Sequence, residues 1–161
     1  MFGVVRKVLE NIMSLNEEEL FIELVRVPSI TEHIIYLNTF DQLFVGGLNT
    51  DGNLIGTYSP VTEALTSGQS FNYQGLTKQK TAGSPYFFYD SGNFIESFTV
   101  KIVNGGFVIS ANDDIDDPLF DTLSQKFGKK LIGLSANSKF ELGLKMLPLL
   151  NKIIRTKILT R

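Results

Sequence analysis

The stretch Tyr89–Ala111, YDSGNFIESFTVKIVNGGFVISA, decides how the fold is read. Its second half reads as a β-hairpin. Phe98, Val100 and Ile102 alternate with Thr99, Lys101 and Val103, which is the period of a half-buried strand. Asn104-Gly105 then suits the two positive-φ positions of a type I′ turn. With those two residues as the turn, Val103 faces Gly106, Ile102 faces Phe107, Val100 faces Ile109 and Phe98 faces Ala111. The face carrying Phe98, Val100 and Ile102 is then apolar on both strands, and a slip by one residue destroys it. Turn chemistry and pattern predict the same register.

The first half of the stretch leads into the hairpin. Asp90, Ser91 and Gly92 are turn and cap residues, and Phe94–Ser97 is long enough for about one helical turn. One reading is a capped turn of the kind found in any α+β domain. The other is a resemblance. Ser91-Gly92-Asn93-Phe94, followed by Ser97 and a β run, resembles the Thr/Ser-Gly-x-hydrophobic-x-x-Ser signature of tailed-phage tail-completion proteins, also called head–tail joining or neck proteins. A second piece agrees: Asn38–Phe44, then Gly47, Asp51-Gly52 and Gly56–Pro60, resembles a helix, Gly-Asp-Gly turn and Gly-x-Tyr-Ser segment of such proteins in phages of the Bacteroidetes group. The resemblance spans Leu37 to Leu134. It implies a structural subunit that is not an enzyme and needs no cofactor. Such a subunit forms a homo-oligomeric ring between head connector and tail, contacts other neck, portal and tail proteins, and resides in the virion after assembly in the host cytoplasm. The residues carrying the motif are Asp90, Ser91, Gly92, Phe94 and Ser97, with Asn104 and Gly105 at the turn. Ser91 replaces the commoner Thr, and the N-terminal helical part is longer than in the family pattern.

Composition fits one globular domain. The chain has 161 residues, 43% hydrophobic and 20% charged, with 13 Phe for a core and no Trp. With no Cys, disulfides and thiolate metal sites are excluded. No apolar run approaches the roughly 20 residues of a membrane span, so no membrane partner is expected. Met1–Lys7 does not read as a signal peptide, because charges interrupt its apolar residues. Net charge is only −2 but is unevenly placed: 6 Lys/Arg against 16 Asp/Glu up to Gln125, then 9 against 1 from Lys126 onward. Either a basic face balances its own molecule, or the acidic body of one copy meets the basic tail of another.

Three parts follow along the chain. Residues 1–47 read as helical: Val4–Met13, then a helix capped by Asn16 with Glu17–Glu19 in its first turn, then a third capped by Ser29 or Thr31. The third carries a wide apolar stripe from Ile34 to Phe44 and is ended by Gly46-Gly47. Residues 48–118 read as β-rich, with a short strand at Leu54-Ile55 or at Thr57-Tyr58. Within them, 62–88 lacks clean periodicity. It is either a surface loop or an extended arm that orders on a neighbouring subunit through Phe71, Tyr73 and Leu76. Residues 119–161 read as basic and helical: Leu119–Phe127, then a cap at Ser135 or Asn137 and a helix from about Lys139 to Thr160. Phe140, Leu144, Leu147, Leu150, Ile153, Ile154 and Ile158 lie on or near one face of it. Pro148 must kink that helix or open another.

Catalytic signals are weak. The only His, His33, has no nucleophile elbow to serve, and the glycines form neither a P-loop nor a dinucleotide fingerprint. The acidic turn Asp113–Pro118 fails the calcium-loop spacing, so no metal is expected. Lys145, Lys152, Arg155 and Lys157 on the last helix could touch packaged DNA non-specifically. The expected architecture is α+β, with N-terminal helices, a small antiparallel sheet built on the hairpin at 98–111, and C-terminal helices. The alternative to a virion subunit is an intracellular adaptor or nucleic-acid-contacting domain from a mobile element.

Overall fold

The computed structural model describes residues 2–111, 126 and 130–160. The fold is α+β. α1 (Phe2–Met13) and α2 (Glu17–Val25) meet at an elbow. Asn16 caps α2, its Oδ1 accepting from the Glu18 and Glu19 N–H groups at 2.9 and 3.2 Å. Glu17–Glu19 then lie at the positive end of the helix dipole. α3 (Pro28–Tyr36) begins with Pro28, whose missing N–H would have had no helical partner. The expected cap at Ser29 or Thr31 is not used: Thr31 Oγ1 donates to the Val25 carbonyl at 2.7 Å.

α3 continues unbroken as a π-helix over Leu37–Val45. Such helices are usually single turns; this one is braced by side chains, one within the helix and one from outside it. Thr39 Oγ1 donates to the Ile35 carbonyl at 2.8 Å. Lys78 Nζ donates to the carbonyls of Phe44 and Val45 at 2.9 and 3.1 Å, satisfying the open C-terminal end with a cation. Gly46 ends the segment, where the sequence placed the stop.

Between Leu48 and Pro85 the expected short strands are single bridges, Leu48 to Leu54 and Thr57 to Pro85. α4 (Pro60–Leu65) is capped by Ser59. β1 (Phe71–Tyr73) and β2 (Leu76–Lys78) then form a hairpin. The extended arm over 62–88 is therefore not what the chain builds. Phe71 is buried with its ring 5.5 Å from Phe87. Tyr73 packs 5.4 Å from Phe44 and shares a hydrogen bond with Thr39 at 3.1 Å. Those aromatics close the chain's own core, and only Leu76 stays at the surface.

β3 (Phe98–Val103) and β4 (Gly106–Ala111) pair in the expected register, Phe98 opposite Ala111 through Val103 opposite Gly106. The turn differs from expectation. Gly105 takes φ +76° but Asn104 does not lie at positive φ, which is the type II pattern rather than I′. The type I′ pattern belongs to the other hairpin, where Gln74 and Gly75 take φ +51° and +82°.

Two apolar clusters share the long helical rod of α3 and its π-helical continuation. Ile30, Ile34 and Leu37 pack with Leu24, Leu142 and Met146. Leu43 and Phe44 pack with Tyr58, Phe71, Phe87, Phe94, Ile95 and Phe98. Each fully buried Leu or Phe contributes roughly 1.5–3 kcal/mol of transfer free energy. Tyr58 reaches this core with its hydroxyl accepting from the Phe87 N–H at 3.2 Å, and burial pushes the phenol up to about 12.

α6 (Ala136–Thr160) is one continuous helix through Pro148. Pro148 is exposed, as is Leu144, whose carbonyl it leaves without a helical donor. The apolar face read from the sequence is not the face that packs inward. The buried residues are Leu142 and Met146, with Leu149, Leu150 and Ile153 packed at the edge. Phe140, Leu144 and Leu147 point outward. The acidic turn Asp113–Pro118 lies outside the described residues, as does the helix expected from Leu119, Lys126 apart.

Candidate interaction surface

The segment entering α6 is gripped by two amides of the π-helix. Asn38 Nδ2 donates to the Leu131 carbonyl at 3.3 Å, and its Oδ1 accepts from the Gly133 N–H at 3.0 Å. One turn on, Gln42 Nε2 donates to the Gly133 carbonyl at 3.0 Å. Its Oε1 accepts from the Ser135 N–H at 2.9 Å and from Ser138 Oγ at 3.2 Å. Ser135 is the cap of α6, its Oγ accepting from the Ser138 N–H at 3.2 Å. All of these groups are satisfied, as buried polar groups must be. The clasp fixes which side of α6 turns inward. The sequence placed Asn38 and Gln42 within an apolar stripe; two amides four apart among Leu and Phe were the available signal.

With Leu142 and Met146 inward, helical spacing puts Phe140, Leu144 and Leu147 in one outward row, at i, i+4 and i+7. They are 66%, 56% and 52% exposed. Farther along, α1 packs against α6, and Asn11 Nδ2 donates to the Ile158 carbonyl at 3.0 Å. α6 therefore carries a row that is covered at its C-terminal end and bare at its N-terminal end. Lys145, Lys152 and Arg155 are exposed beside the row. Pro148, Asn151, Lys152, Arg155 and Leu159 line a shallow groove of about 470 Å³. Lys157, expected on this surface, instead pairs with Glu23 of α2 at 2.8 Å.

The motif residues sit elsewhere. Asp90, Ser91, Gly92 and Phe94 line a cleft of about 150 Å³ with Tyr58, Lys80 and Tyr89. Lys80 Nζ bonds Asp90 at 2.7 Å and lies 4.3 Å above the Phe71 ring. Gly92 precedes α5 (Asn93–Glu96) at φ +93°, and a Cβ there would lie 2.9 Å from Glu96 Oε1 and 3.0 Å from the Tyr89 hydroxyl. Burial, then the Glu96 carboxylate, raises the Tyr89 phenol. Phe94 is buried against Phe98 at 5.3 Å. Ser97 Oγ donates to the Phe94 carbonyl at 2.7 Å, closing the turn. Within this cleft the motif's polar groups are engaged in holding the lead-in to β3.

His33 stacks on Tyr36 at 6.0 Å. Asp41, near both, has its carboxyl raised by burial first and by Glu141 second, against the opposing pull of His33 and the Tyr36 hydroxyl. Among the described residues, no group of three or more His, Asp or Glu is placed to hold a metal ion, and no helix is long and apolar enough to cross a membrane. No protein-family model matches the chain, and no curated protein or solved structure is significantly similar to it.

Proposed function

We propose that this chain is a non-enzymatic structural subunit of a tailed bacteriophage, a ring-forming neck or tail-completion protein that joins head connector to tail. The observation that carries this reading is the bare row Phe140, Leu144, Leu147 on a helix rigidly held by its opposite face. A regular apolar row on a fixed element is a surface made for a neighbour. The resemblance of Ser91–Ser97 and of Asn38–Pro60 to such proteins supplies the virion context, and the acidic body with its basic C-terminal part suits contact between like copies. On this reading the chain assembles in the host cytoplasm and ends in the virion, beside portal and tail proteins.

The test is the composition of purified phage particles. Quantitative mass spectrometry should find the chain at a fixed ratio to the portal subunit. Its absence from particles, with abundance in infected cells, would overturn the virion role. A second reading, a nucleic-acid-contacting adaptor, draws on Lys152 and Arg155 along the groove of α6. A monomer whose DNA affinity falls steeply with salt would favour it.

A further inference from the structure

We infer that copies of this chain join head to tail, the N-terminal half of α6 on one copy receiving the α1–α2 elbow of the next. The inference rests on the assembly reading above and names the two surfaces that meet. The first surface is the bare row of α6, Phe140, Leu144 and Leu147, with exposed Lys145 beside it, Lys152 just past its end, and Glu141 as its one acidic neighbour. The second is the elbow, where Ile12 and Met13 are exposed, Met13 at 85%, directly before the exposed Glu17 and Glu19. Each surface therefore has an apolar centre, and the charges beside the two are mainly opposite, basic on α6 and acidic at the elbow.

Their placement on the molecule fits a heterologous contact. Asn11 bonds the Ile158 carbonyl and Glu23 pairs with Lys157, so the elbow lies at the C-terminal end of α6. The bare row begins at Phe140. It ends at Leu147, eleven positions before Ile158, roughly 16 Å at about 1.5 Å per residue. Two complementary patches at opposite ends of one rigid helix cannot satisfy each other within a copy. They can do so only between copies, in a closed ring or an open fibre.

Sedimentation velocity with charge reversals tests this. Wild type at about 100 µM, a concentration that populates even a weak interface, should run as a species heavier than 18.0 kDa. The pair Lys145→Glu/Lys152→Glu, and separately the pair Glu17→Lys/Glu19→Lys, should each weaken association at least about tenfold. Combining all four changes in one chain should restore it. Mixing the two paired variants should do the same. Leu144→Ser and Met13→Ser should weaken association with unchanged circular dichroism, since both side chains are exposed. A wild type at 18.0 kDa overturns the inference, as does a four-residue variant that stays dissociated while each pair alone has an effect. If association follows this pattern but the chain is absent from phage particles, the interface stands and the virion role falls.

Discussion

Gln42→Ala tests the clasp on which the orientation of α6 depends. The side chain is 2% exposed and serves three partners. Truncation removes the acceptor of the Ser135 N–H and the donor to the Gly133 carbonyl. Ser138 Oγ keeps its bond to Ser135 Oγ at 2.9 Å, so two groups are orphaned rather than three. An unsatisfied buried polar group costs about 1–3 kcal/mol. A groove of about 430 Å³ lined by Gln42, Ser135 and Ser138 opens beside them, which lets water replace part of the loss. The expected cost therefore lies near the lower end, about 2 kcal/mol in total, or a fall in Tm of about 4–8 °C for a chain of this size. Ser138→Ala, which removes only a redundant donor, should cost about 0.5–1.5 kcal/mol. Urea unfolding followed by circular dichroism measures both. A Gln42→Ala variant within about 0.5 kcal/mol of wild type, at unchanged slope, would refute the view that this amide fixes α6.

Other outcomes follow from the same structure. Gly105→Val should destabilise by roughly 1–3 kcal/mol, because a β-branched residue is forced to positive φ, whereas Asn104→Thr at negative φ should change Tm little. Lys78→Met removes the cation that satisfies the Phe44 and Val45 carbonyls and should cost about 1 kcal/mol in chemical denaturation, less than a fully favourable cap because burial disfavours the ammonium. Asp41 titrates above its ordinary 3.8 in the fold, so its contribution is fully present below that value and is lost as pH rises through the folded pKa. Asp41→Asn should accordingly raise Tm at pH 7, with the gain shrinking as the pH is lowered toward 3.8; a gain unchanged between pH 7 and 3.5 would contradict this. Leu142→Ala should cost about 2–4 kcal/mol, whereas Leu144→Ala should leave the unfolding midpoint of dilute protein nearly unchanged, separating the inward face of α6 from the outward one.

Where local chemistry and pattern agree, the sequence was readable. The β3–β4 register followed from alternation on both strands, and Asn16 before three glutamates announced the start of α2. Other features depend on partners distant in the chain. The π-helix over Leu37–Val45 leaves the same apolar stripe as an α-helix, and it is Lys78, more than thirty residues on, that closes its end. β1 and β2 are three residues each, too short for a period of two to appear, so a folded hairpin read as a loop or an arm. On α6 two apolar rows compete, and periodicity alone does not say which is buried. The clasp from Asn38 and Gln42 decides it and leaves Phe140, Leu144 and Leu147 outside. The motif at Asp90–Ser97 was found as a string of residues. Its role in the fold, an ion pair and a positive-φ glycine holding the lead-in to the hairpin, came only with the neighbours Lys80, Tyr89 and Glu96.

The most direct test of the account is an electron cryo-microscopy map of the neck of purified particles. The account expects a ring whose subunits each fit the long rod of α3 and the 25-residue α6, with Phe140, Leu144 and Leu147 covered by the α1–α2 elbow of the adjacent copy. A neck whose density is fully accounted for by other chains, or a ring in which that row faces open solvent, would contradict it.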